Sequence, residues 1–205
     1  MTPDDFAAAT GVSRETLERL KAYDAVLMDW ASRMNLVAKS TLEDRWRRHF
    51  LDSAQLYPLV PSAAKTLLDL GSGAGFPGLV LAAMGADRGL SVRLVDSTQK
   101  KCAFLRAAAE AMAVEVEVSA VRVEAIKGVK ADVVTARAFA SLAKTLAYAE
   151  PLIDPAGVLL APKGANAKAE LTEAANGWNM TYDLHNSVTD PAAVIVEVKD
   201  FARAP

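Results

Sequence analysis

The stretch that decides the fold is Leu67-Leu68-Asp69-Leu70-Gly71-Ser72-Gly73-Ala74-Gly75-Phe76-Pro77-Gly78. An apolar run typical of a buried strand leads into a glycine-rich turn, and the residues after the turn favour a helix. Glycine allows positive φ and lets a ligand approach the backbone without a Cβ in the way. Because parallel sheets bind ligands at the carboxyl ends of their strands, we interpret this turn as a ligand-binding loop.

Two ligand classes fit the glycine spacing. The dinucleotide fingerprint G-x-G-x-x-G is satisfied by Gly73, Gly75 and Gly78, which leaves an NAD-dependent oxidoreductase open. However, the strand is predicted to end at Leu70, two residues earlier than that fingerprint requires. Asp69 followed by Gly71-x-Gly73-x-Gly75 instead resembles the first motif of class I methyltransferases, whose cofactor is S-adenosylmethionine.

The rest of residues 63–205 alternates short apolar runs with alanine-rich segments. Strands are predicted at 66–70, 92–96, 114–120, 132–136 and 158–161, and helices at 78–84, 99–112 and 141–152. This alternation predicts an α/β fold, a doubly wound and mostly parallel sheet with helices on both faces. Segments 180–188 and 193–200 flank the turn Thr189-Asp190-Pro191 and are predicted to form a C-terminal antiparallel hairpin.

Residues 1–62 favour helices and are predicted to form an N-terminal extension, with the ligand-binding domain over 63–205. Ser13 is the expected cap of a helix whose apolar residues recur every three or four positions: Leu17, Leu20, Tyr23, Leu27 and Trp30. A second helical stretch is predicted after Ser40-Thr41, with Leu42, Trp46 and Phe50 on one side, and Pro58 and Pro61 end the region. We interpret the aromatic residues here as core.

Composition excludes several classes of protein. The chain has 205 residues, 52% of them hydrophobic, and a formal net charge of −2, which neither indicates nor forbids nucleic-acid binding. Its one cysteine and two distant histidines predict no disulfide and no metal site. No apolar run suits a membrane span, and the acidic start lacks the features of a signal peptide, so a cytoplasmic protein is expected.

Acidic residues follow two of the predicted strands. Asp96 ends the second strand, where its carboxylate can accept hydrogen bonds from ribose hydroxyls. The alternative is that Asp96-Ser97-Thr98 caps the following helix. Glu124 follows the third strand, where it either meets an adenine ring or is a solvated charge.

An ordered set of motifs resembles the bacterial 16S rRNA guanine-N7 methyltransferases, also called the glucose-inhibited division protein B family. The set spans about residues 20 to 165. It comprises 69–78, Leu94-Val95-Asp96-Ser97, Lys100-Lys101, Phe104-Leu105, Arg122-Val123-Glu124, Ala136-Arg137-Ala138-Phe139-Ala140, Met34-Asn35-Leu36-Val37, Arg48-His49-Phe50-Leu51-Asp52-Ser53 and Pro162-Lys163-Gly164. The resemblance implies a seven-stranded, Rossmann-like class I methyltransferase fold with an N-terminal helical extension. It also implies methylation of N7 of one guanine in small-subunit rRNA.

The resemblance carries over site residues by position. It assigns cofactor binding to Gly71, Phe76, Val123, Glu124 and Arg137, with Asp96 on the ribose. Asp69, Gly73, Gly75 and Ser97 complete the cofactor site expected from the loop and the second strand. No catalytic side chain is expected, because guanine N7 has a free lone pair and needs no base before attack. Catalysis can then rest on positioning and electrostatics.

Cationic residues near the crevice are the expected contacts to RNA in 16S rRNA or the small ribosomal subunit. They are Arg47, Arg48, His49, Lys100, Arg137 and Lys163. For residues 45–49 a solvated helix face is an equal alternative, and Arg137 could bind the cofactor carboxylate, the RNA or both. The roles of Lys168 and His185 stay open. A monomer is expected, and a methyltransferase acting on a small molecule or protein, or an inactive cofactor-binding scaffold, remains an alternative.

Overall fold

The computed structural model describes residues 1–204. Its strands are β1 (Thr66–Leu70), β2 (Ser91–Val95), β3 (Val116–Ser119), β4 (Ala131–Thr135), β5 (Ile153–Lys163), β6 (Trp178–Asn186) and β7 (Val194–Arg203). They form one sheet in the order β3-β2-β1-β4-β5-β7-β6. Strands β1 to β5 pair in parallel, and β7 is antiparallel to both β5 and β6. The predicted seven-stranded, mostly parallel sheet with a C-terminal antiparallel hairpin is confirmed.

Helices cover both faces of this sheet. The helical elements are α1 (Pro3–Thr10), α2 (Arg14–Ala31), a π-helix (Trp46–Leu51), α3 (Asp52–Ala54), α4 (Gly78–Gly85), α5 (Gln99–Ala111), α6 (Leu142–Ala149) and α7 (Ala167–Ala175). Single 3₁₀ turns lie at Lys39–Thr41, Tyr57–Leu59, Ala86–Arg88 and Val123–Ala125. Buried side chains of α4 and α5 belong to one apolar cluster, and those of α6 and α7 belong to the other. The two clusters occupy opposite faces, as crossover helices in a doubly wound sheet require.

The N-terminal helices share their core with the sheet. The Ser13 hydroxyl accepts a hydrogen bond from the Thr16 backbone N–H and caps α2, as predicted. Leu20 and Tyr23 are fully buried in the cluster that also contains Leu79 of α4. The first apolar cluster of the sheet is therefore completed by residues of the extension, while the domain boundary after residue 62 stays a prediction.

Two elements differ from the sequence-based expectation. The second helical stretch is a π-helix rather than an α-helix, and the Asp52 N–H donates to the Arg47 carbonyl, five residues back. Its Trp46 and Phe50 rings stack with centroids 4.3 Å apart and are buried as expected. Helix α7 was not predicted, because it buries only Ala167, Leu171 and Ala174 and so has a weak apolar pattern.

Candidate functional site

Two neighbouring cavities open at the carboxyl edge of the sheet. The first, which we call the loop cavity, has a volume of about 320 Å³ and is lined by Gly71, Asp96, Ser97, Lys101, Val121, Arg122, Val123, Glu124, Phe139 and Tyr148, among others. The second, the outer cleft, has a volume of about 780 Å³ and is lined by Arg48, His49, Asp52, Arg137, Pro162, Lys163, Glu170, Thr189 and Pro191, among others. Ala138 lines both cavities, so the two meet at the loop after β4.

The glycine loop is held in a conformation that only glycine adopts easily. Gly71, Gly73 and Gly75 all have positive φ, at 68°, 56° and 90°. A Cβ at Gly71 would overlap Cδ2 of Phe139, whereas a Cβ at Gly73 would find its nearest neighbour at 3.7 Å. At Gly71 a side chain is therefore excluded by the Phe139 ring of the loop cavity. At Gly73 there is room for a side chain, and glycine is favoured only by the positive φ.

Asp96 ties the loop to the end of β2. Its Oδ2 accepts the Gly73 N–H at 3.0 Å, and its Oδ1 accepts the Thr98 N–H at 2.7 Å. The residue is 8% exposed and lines the loop cavity. The carboxylate thus supports the turn before α5 and also lines the loop cavity, and its contact with a ribose stays a prediction.

Asp69 lies beneath the loop rather than in the cavity. It is 1% exposed, its Oδ1 accepts the Thr135 hydroxyl at 2.7 Å, and Oδ2 has no hydrogen-bond partner within residues 1–204. Burial raises the pKa of this carboxyl to about 6, against the hydrogen bond from Thr135 that lowers it. Asp69 therefore lies under the strand end and does not line the loop cavity, and a cofactor contact at this residue stays a prediction.

The far wall of the loop cavity is aromatic and apolar. Val123 is buried, and the rings of Phe139 and Tyr148 lie 5.4 Å apart. The Tyr148 hydroxyl donates to Oε1 of the exposed Glu124 at 3.2 Å. The sequence assigns no role to Phe139 or Tyr148, although Phe139 belongs to a stretch that carries the family resemblance.

The extension supports the glycine loop from behind. The Tyr23 hydroxyl donates to the Ala74 carbonyl oxygen, and it would lie 2.9 Å from a Cβ at Gly75. The Tyr23 ring is also 5.1 Å from that of Phe76, which is itself buried under the loop. Phe76 and Gly75 consequently pack against the core, and neither lines the loop cavity.

Arg137 is held in the outer cleft by a partner from the extension. Its Nη1 lies 2.9 Å from Oδ2 of Asp52, and its guanidinium carbon lies 5.3 Å from the centre of the Phe76 ring. Asp52 Oδ1 accepts the Thr189 hydroxyl at 2.7 Å, which connects the extension to the β6–β7 turn. The arginine is therefore not a lone cation, and Asp52 is the partner that the sequence did not identify.

His49 lines the outer cleft as a largely buried side chain, and its contact with RNA stays a prediction. It is 9% exposed, its ring stacks on Phe76 with centroids 5.1 Å apart, and its Nε2 lies 2.8 Å from the Thr41 hydroxyl. Burial, reinforced by the positive charge of Arg137, lowers its pKa to about 4. The imidazole is therefore neutral at pH 7 and contributes shape and polarity to the cleft instead of charge.

The other predicted RNA contacts divide into exposed and paired side chains. Arg47, Arg48 and Lys100 are exposed, although Nη2 of Arg47 also donates to the Thr189 carbonyl at 3.1 Å. Lys163 is 9% exposed, and its ammonium donates to the Ala140 carbonyl and to Oε2 of Glu170, each at 2.8 Å. A phosphate contact by Lys163 would have to compete with these two acceptors.

Comparison with known proteins gives the family of the chain. The profile of the GidB family, described as rRNA small subunit methyltransferase G, matches residues 16–194. The chain belongs to the rRNA small subunit methyltransferase G family. The Ribosomal RNA small subunit methyltransferase G of Rhodospirillum rubrum is 50% identical over 206 residues, covering 100% of both chains. That of Paramagnetospirillum magneticum is 47% identical over 203 residues, covering 99% of this chain and 98% of the relative.

The fold of this methyltransferase G family member is also similar to solved structures. The O-methyltransferase from Bacillus cereus in complex with SAH superimposes with a TM-score of 0.59 at 16% identity, covering 88% of this chain and 91% of that chain. The predicted class I methyltransferase fold is thereby confirmed. Within residues 1–204, no cluster of three metal-binding side chains occurs. Over the same residues, none of the helices combines the length and the apolar character needed to cross a membrane.

In this rRNA small subunit methyltransferase G family member, the cofactor-site residues predicted from sequence fall into two groups. Gly71, Asp96, Ser97, Val123 and Glu124 line the loop cavity. Asp69, Gly73, Gly75 and Phe76 lie behind or beside it, and Arg137 lines the outer cleft. The sequence left the roles of Lys168 and His185 open. Lys168 is exposed, and Nε2 of His185 lies 2.8 Å from Oε2 of Glu197. Neither residue lines either cavity.

Proposed function

We propose that this chain transfers the methyl group of S-adenosylmethionine to N7 of one guanine in 16S rRNA of the small ribosomal subunit. The observation that carries the proposal is the full-length match to relatives named Ribosomal RNA small subunit methyltransferase G. Family membership favours methyl transfer over the oxidoreductase alternative. The guanine position and atom come from the resemblance in sequence motifs.

The loop cavity fits S-adenosylmethionine. Its volume of about 320 Å³ is at the lower end of the range for small-molecule sites. The Asp96 carboxylate supplies acceptors at the end of β2, where a ribose diol would donate. Val123, Phe139 and Tyr148 supply the apolar and aromatic surface that an adenine ring needs.

The outer cleft suits the RNA base. It adjoins the loop cavity at Ala138, and its rim carries the exposed Arg48. Arg47 precedes Arg48 in the chain and is also exposed, and both side chains can contact phosphates. A base extruded from a single-stranded segment could therefore enter the cleft while its backbone stays at the rim.

The chemistry demands little of the protein beyond positioning. S-adenosylmethionine supplies an activated methyl group on a sulfonium, and guanine N7 supplies the lone pair. The loop around Gly71 and the residues after β4 hold the two reactants on either side of Ala138. Fixed geometry of this kind lowers the entropic part of the barrier. His49 and Asp52 then shape the cleft rather than remove a proton.

We further propose that the chain acts as a monomer in the cytoplasm. The cytoplasm is where its proposed substrate, the small ribosomal subunit, is found.

The test is methyl transfer to defined small subunits. Subunits from cells lacking this protein should accept radiolabelled methyl from S-adenosylmethionine, and the label should map to N7 of one guanine. Replacing that guanine with 7-deazaguanine should abolish the reaction, because the accepting nitrogen is gone. Label in a small molecule or protein, with none in rRNA, would establish the alternative substrate class instead.

A further inference from the structure

The wall of the outer cleft formed by β5 and α7 contains a carboxylate of which only one oxygen accepts hydrogen bonds from the protein. Glu170 of α7 accepts the Leu142 N–H at 2.7 Å and the Lys163 ammonium at 2.8 Å, and both hydrogen bonds end on Oε2. Oε1 accepts no hydrogen bond within residues 1–204, and the side chain is 26% exposed and lines the cleft. The two bonds hold the carboxylate in place and leave one oxygen available to a ligand.

We propose that Glu170 recognises the substrate guanine by accepting hydrogen bonds from its N1–H and exocyclic amino group. This inference rests on the proposed function, and it assigns the base specificity of that reaction to one residue. Glu170 would be a direct contact to the base, and Lys163 would position it.

The donor pattern of the bases supports guanine as the occupant. Guanine is the one common RNA base that presents two adjacent N–H donors on its Watson–Crick edge, and a carboxylate is an acceptor only. Adenine would place its N1 lone pair against the carboxylate, and uracil would place a carbonyl oxygen beside it. Either mismatch leaves an acceptor facing an acceptor without water, which is costly in a partly buried site.

The arrangement of the cavities supports N7 as the accepting atom. N7 lies on the Hoogsteen edge of guanine and N1–H lies on its Watson–Crick edge, and these two neighbouring edges point in different directions on either side of O6. Glu170 lines only the outer cleft, whereas Ala138 marks its border with the loop cavity. A guanine whose N1–H edge meets Glu170 can therefore present N7 towards Ala138 and the proposed cofactor site.

A carboxylate at this edge also favours the transition state. Methylation at N7 places positive charge on the ring, which makes N1–H a stronger donor as the bond forms. A hydrogen bond from N1–H to Glu170 would strengthen along the reaction, and interactions of that kind raise the rate of the chemical step. Glu170 should therefore affect kcat as well as the KM for RNA.

The test variant is Glu170→Gln. Both groups held by Oε2 are donors, so the amide oxygen should take that place and the NH₂ group should face the cleft. The variant then presents a donor where guanine also presents donors, while Leu142 and Lys163 keep their acceptor. The matched control is Glu173→Gln, an exposed residue on the same helix.

The experiment compares small subunits that carry guanine or inosine at the target position, since inosine lacks the amino group. Wild-type protein should lose about 10- to 100-fold in kcat/KM with inosine, as expected for a lost hydrogen bond to a charged acceptor. Glu170→Gln should lower kcat/KM for guanine by a similar factor and bring the guanine-to-inosine ratio close to one. The dissociation constant for S-adenosylmethionine and the Tm should match those of Glu173→Gln.

Three outcomes would decide against one proposal or the other. If wild-type protein methylates inosine and guanine subunits equally well, the inference is overturned, whatever the variant does. An equal loss on both substrates in Glu170→Gln would also overturn it, and would leave Glu170 as a support for Lys163 and α6. If wild-type protein transfers no methyl to the guanine subunits, the proposed function itself fails.

Discussion

The loop cavity and the outer cleft adjoin at one residue but are built in different ways. The loop cavity is formed by turns that directly follow strands, so its residues stand in motifs such as Gly71-x-Gly73-x-Gly75 and Val95-Asp96-Ser97. The outer cleft collects residues from four distant segments: 41–52, 137–140, 162–170 and 189–193. Its shape depends on pairs such as Arg137 with Asp52, which are 85 positions apart. A site made by backbone conformation is visible in sequence, whereas one made by paired side chains is not.

The largest expected effect distinguishes two glycines within the loop cavity. In Gly71→Ala the new Cβ would overlap the Phe139 ring at a φ of 68°, so both the loop and the aromatic wall must move. In Gly73→Ala the Cβ has space, and the cost is the left-handed backbone alone, about 1 kcal/mol. We expect Gly71→Ala to weaken S-adenosylmethionine binding by about 100-fold or more, and Gly73→Ala by about tenfold or less. Isothermal titration calorimetry with the purified variants measures both.

Binding of the unmethylated small subunit is the control for this pair. Because neither glycine lines the outer cleft, both variants should bind the subunit as the wild type does. Equal losses of cofactor affinity in the two variants would mean that the overlap with Phe139 does not matter. The distinction between Gly71 and Gly73 would then be wrong.

A smaller effect is expected for a substitution in the outer cleft, which should impair use of the small subunit and leave cofactor binding in the loop cavity intact. Asp52→Asn removes the negative partner of Arg137 but keeps an oxygen that can accept the Thr189 hydroxyl. We expect kcat/KM for the small subunit to fall about tenfold, in line with the loss of a partly buried charged hydrogen bond. The dissociation constant for S-adenosylmethionine should change less than twofold. A fall in cofactor affinity would instead place Arg137 with the cofactor carboxylate, and the two cavities would then work as one site.

An effect of similar free energy concerns the pH dependence of stability through His49. Its pKa is lowered from 6.5 to about 4 in the folded protein, so the folded state prefers the neutral ring. This preference stabilises the fold above pH 6.5 and is lost as the pH falls towards 4, because the unfolded chain takes up the proton first. Between pH 7 and pH 5 the wild type should lose about 1–2 kcal/mol more than His49→Gln. Urea unfolding at the two pH values tests this, and parallel losses in both proteins would contradict the buried, neutral histidine.

Much of the fold followed from local sequence, and about half of the predicted cofactor residues line the loop cavity. Alternating apolar runs and helices predicted the parallel sheet, and the position of Asp96 after β2 predicted a carboxylate at its edge. Helix α7 was not predicted because its buried residues are mostly alanine. The position of Glu170 on this helix was therefore not predicted either. Asp69 and Phe76 were placed in the site because they stand in the motif, but the pleat and the turn direct them into the core.

The sequence by itself determined the strand-loop-helix unit around Gly71, because positive φ and close packing restrict the residue type at each position. It also determined the family, since the ordered motifs extend over most of the chain. Only the tertiary structure decided which charges are free and which are paired. Asp52 holds Arg137, burial neutralises His49, and Lys163 is tied to Glu170. Charge and hydrogen bonding depend on distance in space, and contacts between segments so far apart in the chain are fixed only when the helices close over the sheet.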